Sequence, residues 1–134
     1  MNINEMTERC HGASLNAGWW KHHPTGLDLV QVINSPENEM QKLIGQLVVV
    51  QKICLTHSEV SEAMEGHRKG LMDDKLPHRS MLEVELADAV IRIADLAGAL
   101  NLDLGGAITE KLEYNRNRAD HKIENRLKDG GKAY

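Results

Sequence analysis

Phenylalanine is absent from this chain, and aromatic residues make up only 3% of it. Strand formers are scarce while Leu, Ala, Met, Glu and Lys are plentiful, a balance that favours an all-helical chain. Cysteine is nearly as sparse: Cys10 and Cys54 are too few for a disulfide framework, so a reducing compartment is the simpler expectation. No stretch approaches the roughly 20 apolar residues of a membrane span, and "MNINEMTERCHGASLNAGWW" has no basic segment leading into an apolar one. A soluble, cytoplasmic protein is expected. Positive charge is also in deficit. Sixteen basic residues against twenty acidic give a net charge of -4, which argues against an electrostatic footprint for duplex nucleic acid over the whole surface. Any polyanion must then be held locally.

What is present bounds the architecture. With 134 residues and 41% apolar content, the chain is expected to form a single domain, 1–134, with one core. A short helix is predicted over 2–15, followed by a loop of about twenty residues through "NAGWWKHHPTGLDLVQVINSPEN", where Gly, Pro and Asn act as breakers. Ser35, Pro36, Asn38 and Glu39 mark a helix start, and helical apolar spacing continues from Met40 through Leu55, predicting one long helix over 38–69. Cys54 is expected in the core. The cluster "GLMDDKLPH" then breaks the chain.

The segment 79–100, "RSMLEVELADAVIRIADLAGAL", is apolar on nearly every side. Its polar residues Glu85, Asp88, Arg92 and Asp95 fall within about an 80° arc, one narrow strip on a helix otherwise wrapped by protein. A fourth helix is predicted from near Asp103 to about 119, and the tail 121–134 is charged and Gly-rich. The fold class expected is all-α, an antiparallel helix bundle with its motif-bearing core over about 38–120.

Two acidic pairs carry the chemistry. Glu59 with Glu62, and Glu85 with Asp88, are each three residues apart, so each pair projects carboxylates from adjacent turns of one helix face. On antiparallel neighbouring helices the pairs converge, and their mutual repulsion calls for a cation. Oxygen-only ligands suit Mg²⁺, with Mn²⁺ as a substitute, whereas a di-iron bundle would show Glu-x-x-His motifs on its helices, and neither His57 nor His67 stands three residues beyond a Glu. The bland alternative is a solvated acidic helix face, and Glu65, which extends the ladder, is read that way. Downstream, Lys111, Asn115 and Arg118 are spaced by four and three, placing an ammonium, an amide and a guanidinium along one helical face suited to phosphate oxygens. A basic helix end complementing the macrodipole is the alternative.

Glu-x-x-Glu, a gap of about two dozen residues, Glu-x-x-Asp, then Lys-x-x-x-Asn-x-x-Arg resembles the MazG-like, all-α nucleoside triphosphate pyrophosphohydrolases. The segments "HSEVSEAMEGHRKG", "ELADAVIRIADLAGALNLDL" and "KLEYNRNR" carry the resemblance, and "GGKAY" is similar to tails of short, single-domain members of phage or bacterial type. The resemblance implies Mg²⁺-dependent hydrolysis of a nucleoside triphosphate to the monophosphate and pyrophosphate, deoxynucleotides being the expected substrates. It implies metal ligation by Glu59, Glu62, Glu85 and Asp88, phosphate binding by Lys111, Asn115 and Arg118, and a homodimer or homotetramer; a phage-encoded member would act in the host cytoplasm. Glu59 is the first candidate to orient or deprotonate the attacking water. A non-catalytic helical module that binds a nucleotide or a protein on the same scaffold is the competing reading.

Trp19 and Trp20, in the predicted loop, are candidates for stacking on a nucleobase, with plain anchoring as the alternative. Cys10, His11, His22, His23, Cys54 and His57 match no familiar zinc spacing. The apolar wrap of 79–100 independently asks for more neighbours than one chain supplies, which favours a homo-oligomer.

Overall fold

Side-chain caps mark where each major helix begins in the computed structural model, which describes residues 1–134. Asn2 and Glu5 form a capping box at the start of α1 (Ile3–Asn16). Asn38 accepts from the Gln41 amide to open α3 (Glu39–Lys69), and Gly70, at φ 61°, ends that helix in the left-handed conformation that glycine adopts without steric cost. Ser80 accepts from the Glu83 amide at the head of α4 (Met81–Ala99). The long helices therefore lie where periodicity and capping predict them, and the chain is mostly helical.

The predicted loop between α1 and α3 is the main correction. It carries a two-stranded antiparallel ribbon, β1 (Lys21–His22) paired with β2 (Leu27–Asp28), and a short helix, α2 (Leu29–Asn34). Gly26, at φ 73°, supplies the turn of the ribbon, and Asp28 caps α2 by accepting from the Gln31 amide. A helix of six residues is too short to show a repeating face in sequence. Tertiary burial sustains it: Val32 is 1% exposed, and Asn34 Nδ2 donates to the Ala99 carbonyl at 2.7 Å.

Two compact units divide the chain, Met1–Leu102 and Asp103–Tyr134. In the first, α4 packs against both α3 and α1, and α2 packs on α3. Small residues permit the close approaches. Ala63, Ala89, Ala94, Ala97 and Ala99 are buried, and a Cβ on Gly45 would stand 2.8 Å from the Val32 carbonyl oxygen of α2. Gly66 lies beside Met81 while Arg92 bonds Glu59, so positions rise along α4 as they fall along α3 and the two helices run antiparallel.

Cys54, expected in the core, is exposed on α3. Leu86, Val90, Ile91 and Ile93 of α4 are likewise exposed in the single chain, although this helix reads as wrapped on nearly all sides. Their apolar periodicity reports a surface that α1 and α3 leave uncovered.

The second unit contains α5 (Leu104–Asn117), a 3-10 turn at Ala119–His121 and α6 (Ile123–Arg126), with no fully buried residue in any of them. Polar ties order it. Asp103 caps α5, Asn125 Nδ2 donates to the Ala119 carbonyl at 2.7 Å, and Lys132 of the tail lies 3.1 Å from Asp120 Oδ2. No helix of the chain is long and apolar enough to cross a membrane.

Candidate metal centre

Antiparallel packing brings the acidic pairs of α3 and α4 to one place. Carboxylate oxygens of Glu59, Glu85 and Asp88 lie within 4.8 Å of one another. Glu59 is 8% exposed, an unusual position for an acid without compensation. Arg92, one turn beyond Asp88, supplies part of it by donating from Nε to Glu59 Oε1. Glu62 is exposed and stands close enough for its charge to act on Glu85.

The electrostatics report the crowding. Burial, then the neighbouring charge of Glu62, then hydrogen bonding and charge from Glu59, push Glu85 up to about 7. Asp88 is raised by burial and by the Glu59 charge, with Arg92 opposing and Asp73 adding. Asp73 is itself buried in the α3–α4 connection, where its Oδ2 accepts the amides of Lys75 and Leu76 at 2.9 and 2.6 Å. The donor set is all oxygen and short of positive charge, a fit for a hard divalent cation such as Mg²⁺ or Mn²⁺. Glu65, by contrast, pairs with Lys69 and Arg68 on the surface, as a solvated position should.

A cavity of about 730 Å³ adjoins the acids, with Glu59, Asp88 and Arg92 in its wall together with Lys52, Asp95 and Trp19. The two tryptophans have different fates. Trp19 is exposed at the cavity, whereas Trp20 is 2% exposed and is no free platform for a base. Trp20 Nε1 donates to Asp95 Oδ1 at 2.8 Å, and the Lys52 ammonium lies 4.3 Å from the centre of its ring. His11 meets the Trp20 ring edge-on, with centroids 5.6 Å apart. Burial lowers the Lys52 pKa, with Asp95 opposing and Arg92 adding to the shift.

Lys111, Asn115 and Arg118 belong to the second unit, and only the first two lie on α5. Arg118 follows the helix with extended backbone (ψ 136°), so the expected single helical face holds two of the three. Tyr114 gathers the cations instead: Lys111 Nζ lies 4.6 Å and Arg118 Cζ 5.9 Å from its ring centre. Arg118 also forks onto Asp120, Nε to Oδ1 at 2.9 Å and Nη2 to Oδ2 at 2.6 Å, and Arg118 with Lys132 holds that carboxyl down at about 2. Asn115 Oδ1 is buried without a hydrogen-bond partner.

Arg92 and Asp95 were visible in sequence only as members of the polar strip on α4. Lys52, Asp73 and His11 carried no local signal, since their roles arise from partners far away in the chain. No family model, curated protein or solved structure matches this chain.

Proposed function

We propose that this chain is a divalent-metal-dependent nucleoside triphosphate pyrophosphohydrolase of the MazG-like, all-α type, acting on deoxynucleotides and releasing a monophosphate and pyrophosphate. The observation that carries the reading is the convergence of Glu59, Glu85 and Asp88 from two helices beside a cavity of about 730 Å³. That volume lies within the range of small-molecule sites. Three crowded acids next to space for a nucleoside are suited to phosphate chemistry more than to a structural role.

Glu59, Glu62, Glu85 and Asp88 are assigned to hold Mg²⁺ or Mn²⁺. A bound cation neutralises charge on the phosphates and lowers the pKa of water. Glu59, whose carboxylate accepts from Arg92 Nε, is assigned to accept the proton of the attacking water. Trp19 offers an exposed ring to the base. On donor chemistry alone, Lys111, Asn115 and Arg118 are assigned to phosphate oxygens. Exposed apolar positions Leu43, Leu47 and Val50 on α3, and Leu86, Val90 and Ile93 on α4, favour assembly with a second copy as a homodimer or homotetramer.

The competing reading, a non-catalytic nucleotide- or protein-binding module, draws support from one feature. Arg92 already compensates Glu59, so the cluster is not wholly dependent on a metal. The deciding assay is a panel of canonical and modified nucleoside triphosphates with Mg²⁺, resolving monophosphate plus pyrophosphate from diphosphate plus phosphate. Pyrophosphate release that disappears in Glu59→Gln is expected; no turnover by folded, metal-loaded protein would favour the binding module.

A further inference from the structure

Asp95 lines the cavity with one of its two oxygens already committed. Trp20 Nε1 donates to Oδ1 at 2.8 Å, and His11 Nδ1 lies 2.8 Å from the same atom. Two contacts on one oxygen, from a buried indole and a half-buried imidazole, hold the carboxylate in a single orientation. Anchoring α1 and Trp20 to α4 requires no more than Oδ1. The side chain keeps 13% of its surface exposed, and Asp95 belongs to the wall of the cavity.

The neighbours suit a polar ligand edge. A carboxylate accepts and does not donate, whereas Lys52, in the same wall, donates and does not accept. The ammonium keeps the acid from being an isolated charge. Along α4, Asp95 lies seven residues beyond Asp88, a rise of roughly 10 Å and about the reach of a nucleoside. A nucleotide whose phosphates approach Asp88 can thus bring its base edge to Asp95.

We propose that Asp95 determines base specificity by accepting an N–H from an exocyclic amino group, so that amino-bearing bases are preferred over counterparts with a carbonyl in that place. The inference rests on the nucleotide reading above. An exocyclic amine projects past the ring and offers hydrogens to the fixed acceptor. A carbonyl at the same position sets lone pairs against a carboxylate oxygen, leaving both acceptors unpaired away from bulk water.

Matched pairs test this directly. For dCTP against dUTP, and dATP against dITP, kcat/KM is expected to favour the amino member by about tenfold or more. In Asp95→Asn, whose amide can donate to a carbonyl, the preference is expected to shrink to within about threefold. Thermal melting and near-ultraviolet circular dichroism establish that the variant is folded; equal values in the wild-type pairs overturn the inference without it. If nucleotides bind but are not hydrolysed, the same ratios are read from Kd, which separates failure of catalysis from failure of base reading. Equal values within both wild-type pairs, or an unchanged ratio in folded Asp95→Asn, overturn the inference alone. Absence of turnover together with absence of binding, read from tryptophan fluorescence on adding any of the four nucleotides, overturns the nucleotide reading and this inference with it.

Discussion

Arg92 on α4 donates from Nε to Glu59 on α3, and the acceptor is the most buried acid of the carboxylate cluster. One guanidinium thus links the acidic centre to the cavity wall that holds Asp95. Removing either partner leaves the other charge with less compensation than the fold provides.

Glu59→Gln should abolish pyrophosphate release, with kcat down by about 10²–10⁴ if Glu59 handles the proton of water. Arg92→Ala should cost about 1–3 kcal/mol of stability, toward the low end because the side chain of Arg92 is 39% exposed while that of Glu59 is 10% exposed. Denaturant unfolding of both variants beside a kcat measurement separates the two effects. A folded Glu59→Gln protein with full activity would remove Glu59 from the proposed mechanism.

Glu85 makes metal-free stability depend on pH. Its value of about 7 in the folded state lies above the ordinary 4.5, so between these values the folded protein holds a proton that the unfolded chain has lost. Rising pH therefore destabilises the fold from about 4.5 upward, and the penalty levels off above about 7. Melting with a chelator from pH 5 to pH 8 should show the advantage of Glu85→Gln over the parent growing across that window. A difference independent of pH would refute the assigned crowding.

Divalent cations should oppose that penalty. Mg²⁺ or Mn²⁺ is expected to raise Tm, with the rise continuing logarithmically with cation concentration above Kd and larger at pH 8 than at pH 6, because the protonated acid must release its proton on binding. Glu85→Gln and Asp88→Asn should lose most of the shift. A Tm insensitive to millimolar Mg²⁺ and Mn²⁺ would favour the binding-module reading.

Arg118 should act on substrate affinity. Its fork onto Asp120 shows the geometry it can offer a phosphate. Arg118→Ala is expected to raise KM about tenfold or more, and Arg118→Lys should restore only part of the loss, because a point charge replaces a paired donor. Identical KM values for all three proteins would remove Arg118 from the phosphate set.

Self-association should depend on the exposed face of α3. Replacing Leu47 and Val50 with Lys is expected to shift sedimentation toward the monomer without loss of helicity. A parent protein that already sediments as a monomer at micromolar concentration would exclude this part of the proposal.

Local chemistry alone was enough to place the long helices. The caps at Asn38, Ser80 and Asp103, the left-handed stop at Gly70 and the three-residue spacing of each acidic pair act within one or two turns, so they are legible in a linear chain. Tertiary structure decided the rest. It sustained α2 through the burial of Val32, left Cys54 in solvent, and buried Trp20 against Asp95 while leaving Trp19 exposed. It also gave Glu59 a partner 33 residues away in Arg92. Backbone preferences and periodicity determine which side chains share a face, but which faces meet depends on packing between segments distant in sequence, and no local pattern records that choice.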